Sequence, residues 1–419
     1  MVNNMTTWTR FVTVAGLLVA AAVSGYTKES SFEDFDRRAK AGERLSVVFF
    51  GASLTWGANA SDPLLYSYRA LIAKRLEAKY PAAHFHFWDG AIGGTGSQLG
   101  VFRFDRDVLA HQPDLVFLDF SANDGINDAD TETLASYEAL VRRVITDAHA
   151  PLVQVVFPFM WDVQSGDLTR MKRREAHLKI AASYGAGAGD AIALAMDRIK
   201  AGETTLKKIW PADGVHPCDE GYILFADAAW QAFEQALKDR KVCTAPEKTL
   251  FGDTYMHSAR VKISSLGTLP DGWKVGRPNL VAAYFDMLMS RWLDDETIVT
   301  VPKAPGEAPA RLKVKFNGSM VLLFGESTPT SCKFRVYIDG KQVEHEENKK
   351  MLPEFDAAGL GRRCSGNVHL TQRIAQGLDA SIEHTLEIEP LPGTENQEMR
   401  LESICVAGGE ARVVPSTGK

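Results

Sequence analysis

Four short stretches carry side chains that are chemically complementary. Residues 49–55 (FFGASLT) end an apolar run on a glycine and place one hydroxyl, Ser53, on the turn that follows. Residues 90–97 (GAIGGTGS) are too rich in glycine for a strand and read as a loop whose backbone amides can approach a ligand. Residues 121–125 (SANDG) add the carboxamide of Asn123, and residues 213–217 (DGVHP) put Asp213 three residues before His216. Hydrolysis of an ester needs a hydroxyl nucleophile, a base to take its proton, a group that orients the base, and donors for the developing oxyanion. Ser53 can be the nucleophile and His216 the base. Asp213 reaches the imidazole within one local turn, the arrangement that fixes tautomer and orientation in Ser-His-Asp triads. The backbone N–H of Ser53, the backbone N–H of Gly94 and the side-chain amide of Asn123 are the candidate oxyanion donors. Each stretch alone also reads as ordinary turn chemistry, so the inference rests on their coincidence.

These residues need elements to hold them. Residues 45–50 (LSVVFF), 84–91 (HFHFWDGA), 114–122 (DLVFLDFSA) and 152–159 (LVQVVFPF) are nearly continuously apolar, as strands buried on both faces are. Between them, 66–80 and 134–149 place apolar residues at helical spacing with charges opposite. Alternating strands and helices predict an α/β domain, a parallel sheet covered by helices on both sides. All four chemical stretches then fall at the carboxyl ends of strands or in loops, where open parallel sheets bind ligands.

The four stretches, in this order, resemble blocks I, II, III and V of the SGNH (GDSL) hydrolases, a family of esterases and lipases. GASLT stands for block I, AIGGTGS for block II with Gly94 at the oxyanion position, SAND for block III with Asn123, and DGVHP for block V with Asp213 and His216. The resemblance covers roughly residues 44–240, including the helix-forming tail after His216. It implies a flavodoxin-like three-layer α/β/α fold, a Ser53-His216-Asp213 triad and no metal or organic cofactor. Two positions depart from the pattern: Ala52 stands where the name-giving Asp usually sits, and Ser121 where block III often has Gly. Neither belongs to the triad. No G-x-S-x-G elbow surrounds Ser53, because position 55 is Thr55.

After residues 238–249 (KDRKVCTAPEKT) the helical alternation stops. Asn317-Gly318 and Asp339-Gly340 each lie between strand-like runs, the strongest short hairpin signal, and 384–391 and 399–408 read as further strands. The expected organisation is a signal peptide over 1–25, the hydrolase domain over 26–245, and a β-sandwich, jelly-roll-like, over 250–410. One helix-like stretch, 280–295, interrupts the second half.

The chain has 419 residues, 45% of them hydrophobic, and carries 53 acids against 47 bases for a formal charge of -6. That mild charge gives no reason to expect nucleic acid as a partner. Arg10 followed by the apolar run 11–23 reads as a secretory signal, too short for a comfortable membrane span of about 20 apolar residues. Its alternative is an uncleaved anchor. Cleavage places the mature chain in the periplasm or outside the cell, without stable membrane insertion. Export permits disulfides. Cys218 and Cys243 flank a helix too long for them to bridge, so a pair is expected among Cys332, Cys364 and Cys405. His84 and His86 share one strand face, with no neighbouring carboxylate or cysteine to complete a metal site.

Trp56, Trp161 and Trp210 fall in loops expected to rim the site, and flat rings suit stacking against sugar faces. Together with the appended β-domain, they point to removal of O-acetyl groups from a carbohydrate or polysaccharide. Two readings compete: an esterase or lysophospholipase for longer acyl chains, and a glycan-binding protein whose hydrolase domain is idle. Oligomeric state is not legible.

Overall fold

The computed structural model describes residues 29–279, 293, 295–303, 308–347, 349–393 and 395–415. The expected signal peptide, and all of the helix-like stretch 280–295 except residues 293 and 295, lie outside the described residues.

The apolar runs of the first half form five parallel strands: β1 (Arg44–Gly51), β2 (His84–Ala91), β3 (Leu115–Leu118), β4 (Leu152–Val156) and β5 (Gly187–Asp190). Their order is β2-β1-β3-β4-β5, the flavodoxin-like order whose switch point lies between β1 and β3. β3 and β4 are buried along their whole length, which is why they read as unbroken apolar runs. The helix Asp219–Lys238 packs on β4 and β5 beside the helix Tyr68–Lys79, and Ser97–Asp107, Thr131–Thr146 and Lys172–Tyr184 form a second group.

β5 is the strand that pattern reading missed. Its sequence, GAGD, carries no β-forming side chain, but small residues are what let the helix Asp219–Lys238 approach. A Cβ on Gly189 would stand 2.9 Å from the Ala228 carbonyl oxygen.

The second half continues as β6 (Ser258–Lys262), β7 (Trp273–Gly276), β8 (Glu296–Val301), β9 (Leu312–Asn317), β10 (Met320–Ser327), β11 (Lys333–Ile338) and β12 (Lys341–Gln342). It ends with β13 (His345–Glu347), β14 (Lys350–Leu352), β15 (Phe355–Asp356), β16 (Val368–Gln376), β17 (His384–Pro390), β18 (Gln397–Ala407) and β19 (Arg412–Pro415). One sheet runs β16-β10-β18-β8-β7 with β6 also on β18; the other runs β12-β11-β17-β9-β19 with β15 on β11. Val314, Phe316, Val336, Leu386 and Ile388 of one sheet meet Val321, Leu323, Met399 and Leu401 of the other in a single core. This is the β-sandwich.

Asp339-Gly340 makes the expected hairpin, with Ile338 facing Lys341 and positive φ at both turn residues. Asn317-Gly318 does not. β9 and β10 lie in different sheets, so this turn carries the chain from one sheet to the other. The Asn317 side chain secures that corner, donating to the carbonyls of Ala380 and Ile382 and accepting from the Glu410 amide. The expected disulfide is also absent: all five cysteines are free. Cys332 lies in the sandwich interior, whereas Cys405 belongs to the core of the first domain, on the far face of its sheet.

Alternation along β10 joins the domains. Val321 and Leu323 enter the sandwich core, while Met320, Leu322 and Phe324 join the core of the first domain. The connecting segment is held by buried Glu138, which accepts from the amides of Leu250 and Phe251 and from the Tyr184 hydroxyl. Among the described residues no helix is long and apolar enough to cross a membrane.

Because the atoms facing Gly189 are backbone, Gly189→Ala is expected to destabilise the protein by about 1–3 kcal/mol. Urea unfolding checks it, and an unchanged midpoint would show that the helix shifts freely away from β5.

Candidate active site

β1 delivers Ser53 to the switch point. The strand ends at Gly51, and the chain turns directly into the short helix Ser53–Trp56, which closes on Gly57 in the left-handed region at φ 101°. Ser53 is only 4% exposed, and its Oγ lies 3.0 Å from His216 Nε2. His216 Nδ1 faces Asp213 Oδ2 at 3.5 Å. With Nδ1–H directed at the carboxylate, Nε2 presents its lone pair to the serine O–H. The series hydroxyl, imidazole, carboxylate is the one that acyl transfer uses.

Both titrating groups are tuned for that arrangement. Burial lowers the His216 pKa below its ordinary value, against the opposing pull of Asp213, so the ring is a neutral base at neutral pH. Burial acts against the Asp213 carboxylate too, but bonds from the His216 and Val215 amides and from Asn59 outweigh it, and its pKa is lowered. The two amides reach Asp213 Oδ1 at 2.6 and 2.7 Å. This local turn is why the DGVHP spacing works: the carboxylate is fixed by the backbone of the residue it must orient.

Asn59 was not singled out by sequence. Its Nδ2 donates to Asp213 Oδ2 at 2.9 Å from a left-handed backbone position, φ 66°. Asn tolerates that conformation, which is the signal its position after the Ser53 turn offered. Two residues on, Ser61 binds Asp219 through its amide and hydroxyl, at 2.8 and 2.6 Å. The loop after β1 is thus tied both to the loop bearing Asp213 and His216 and to the start of the helix that follows it.

The loop after β2 starts where the Ile92 amide donates to the Gly51 carbonyl at 3.2 Å. Gly93 is buried, and Gly94 is exposed with φ 73°. Gly94 and Asn123 share the wall of a cleft of about 990 Å³. Ser97 joins this loop to the next, its amide donating to Asp124 Oδ1 at 2.9 Å. Burial raises the Asp124 pKa to about 6 against that bond, and Asp119, beneath the loop, rises to about 7 for the same reason. Ser121, where glycine was the expectation, accepts from the Phe157 amide at 2.8 Å and so ties the loop to the end of β4. Ala52, in the place of the usual Asp, is fully buried.

The tryptophans divide. Trp161 is 49% exposed, with its ring against Gly214 of the Asp-His loop. Trp56 is half-buried at the end of the Ser53 helix. Trp210 does not rim the site: it is 3% exposed and packs near Phe225, in the core of the first domain with Ile209 before it. His86 stacks on Trp88, which stacks on His111, so that strand face makes an aromatic column.

The sandwich supplies the other wall of the cleft, including Arg362, Arg363, His369 and Arg373. Ser53 and His216 are not in those walls; Gly94 and Asn123 are where the cleft touches the candidate oxyanion donors.

Residues 49–224 match the model of the GDSL-like Lipase/Acylhydrolase family. No curated protein sequence matches the chain. Among solved structures it is similar to a two-domain esterase (CEX) active on acetylated mannans, at TM-score 0.66 and 22% identity over 90% of this chain and 95% of that one. The same esterase co-crystallised with mannopentaose gives TM-score 0.67 with the same identity and coverage. The acetylxylan esterase Axe2 from Geobacillus stearothermophilus is 21% identical, covering 46% of this chain and 96% of its own, at TM-score 0.39. The likeness to the two-domain esterase extends over both domains and shows a common fold. The family match runs from the end of β1 past the Asp-His loop and stops short of the β-sandwich, so the similarity to GDSL-like lipases and acylhydrolases belongs to the first domain.

Proposed function

We propose that this protein is an exported esterase that removes O-acetyl groups from a carbohydrate, with Ser53 as its nucleophile. The observation that carries the reading is the 3.0 Å approach of Ser53 Oγ to a neutral, buried His216. His216 Nε2 takes the serine proton as Oγ attacks the acetyl carbonyl, and Asp213 stabilises the imidazolium that forms. The amides of Ser53 and Gly94 and the Asn123 carboxamide receive the oxyanion. When the tetrahedral intermediate collapses, the sugar hydroxyl leaves with the proton from His216. Water, deprotonated by the same nitrogen, then attacks the acetyl-serine and releases acetate. No step calls on a group beyond the chain and water.

Three features support sugar as the alcohol. Trp161 offers an exposed flat ring beside the Asp-His loop, and Trp56 stands at the end of the nucleophile helix. The cleft at Gly94 and Asn123 is walled by both domains, with a rim rich in polar and charged groups rather than an apolar channel. The similar two-domain esterase is active on acetylated mannans. The N-terminal apolar run supports export.

Aryl acetate is expected to be hydrolysed in preference to octanoyl and palmitoyl esters, with acetate released from acetylated glycans. Ser53→Ala should lower kcat by about 10⁴-fold or more. Preference for octanoyl or longer chains would instead make this an acyl-chain esterase, and full activity of Ser53→Ala would assign the nucleophile elsewhere. Asn59→Ala removes a bond to a charged partner and should lower kcat/KM about tenfold. Because His216 works as the neutral base and its pKa is lowered, kcat/KM should rise with pH through a midpoint below 6.5 and then stay level. A midpoint above 7 would mean that His216 is not the group that titrates.

A further inference from the structure

The loop after β2 contains a Gly93-Gly94 pair, and the peptide between them carries the Gly93 carbonyl and the Gly94 N–H on opposite edges of one plane. Turning that plane over changes only ψ of Gly93 and φ of Gly94, the two torsions that glycine frees most. Gly94 holds φ 73°, with Gly93 buried behind it. Nothing in the loop's own composition therefore selects which edge faces the site. The selection comes from the other domain. His369, on β16 of the sandwich, is 4% exposed and places Nε2 2.9 Å from the Gly93 carbonyl oxygen. A carbonyl only accepts, so Nε2 carries the hydrogen and Nδ1 accepts from the Thr371 hydroxyl at 3.2 Å. Burial pushes the imidazole down to about 4 against the pull of the Gly93 bond, so the ring is neutral and the tautomer single at physiological pH. β16 is anchored in turn by its pairing with β10, where Phe324 faces Thr371 and Glu326 faces His369. Those strands present their outward residues, Leu322 and Phe324 among them, to the hydrolase core.

We infer that His369 is a positioning residue of the hydrolase site: by holding the Gly93 carbonyl, the β-sandwich aims the Gly94 N–H at the oxyanion. The sandwich then completes the catalytic domain as well as walling its cleft, and the two domains make one catalytic unit. The inference rests on the proposed ester hydrolysis and on Gly94 as an oxyanion donor.

The test compares His369→Met, of similar size without a donor, with His369→Gln, whose amide can still reach the carbonyl, both in the full chain. Aryl acetate gives kcat and KM, and a p-nitrophenyl alkylphosphonate, whose attack by serine builds the same oxyanion, gives a phosphonylation rate. Removal of an oxyanion donor costs about 10²–10³ in kcat, and release of its tether should cost about tenfold or more. His369→Met is expected to lose that in kcat and in phosphonylation together, with KM within twofold and thermal midpoint preserved, while His369→Gln recovers most of it. If His369→Met does not fold, Thr371→Val keeps the ring but frees its tautomer, and a severalfold fall in kcat at constant KM is expected. Wild-type kcat in His369→Met, or in Thr371→Val where Met fails to fold, overturns the inference while leaving the hydrolase reading intact. A wild-type chain with no Ser53-dependent esterase activity overturns the hydrolase reading itself.

Discussion

At the ends of β1 and β2 the carbonyls of Gly51 and Gly90 mark where the chain turns into the two loops that carry Ser53 and Gly94. Arg103, 1% exposed, donates to both of them, at 2.8 and 2.5 Å. A guanidinium taken out of water costs several kcal/mol unless its charge and hydrogens are met, and here Asp107 meets the charge at 2.8 Å. Its plane lies over the Phe50 ring, 4.4 Å from the centroid. The requirement to satisfy one buried cation thus fixes the separation of two strand ends, and the loops above inherit that spacing. Removing the side chain would take a donor from each of these carbonyls and leave Asp107 buried without its partner, which is why neither strand end can drift independently.

The same helix explains the way the domains meet. Ser97–Asp107 begins at the glycine-rich loop after β2, where Ser97 binds Asp124, carries Arg103 along its length, and has β6 of the sandwich packed against it. The Phe102 ring approaches Tyr255, whose hydroxyl accepts from Gln98. Apolar residues of β10 and β18 extend the core of the first domain rather than covering a surface. An interface built of this kind resembles an interior more than a docking contact, and it gives His369 a fixed frame from which to act across the seam.

Much of the architecture was legible because period and composition carry it. The continuous apolar runs became β1 to β4, and the amphipathic segments became the helices Tyr68–Lys79 and Thr131–Thr146. β5 was hidden because its role is to be small: Gly187 and Gly189 face helix backbone, so the strand has glycine where β-formers were sought. Asn317-Gly318 reads as a hairpin locally, and only the path of β9 and β10 into separate sheets makes it a corner. Trp210 looked like a site residue from its nearness in sequence to Asp213, but three residues suffice for the chain to turn from core to surface.

What the sequence by itself determined about the site is the part that local geometry dictates. Asp213 and His216 lie within one turn whose amides bind the carboxylate, and the Ser53, glycine-loop and Asn123 stretches each sit at a strand end that their own apolar runs predict. What the tertiary structure decided is every contact made across distance. Ser53 and His216 are 163 positions apart, Asn59 and Asp213 are 154, and His369 and Gly93 are 276. No spacing rule encodes such pairs, because each depends on strand order and on which face of a strand a neighbouring domain covers. Short-range hydrogen bonds could therefore be read from the residues, while a contact such as that of His369 with the Gly93 carbonyl waited on the packing of the whole chain.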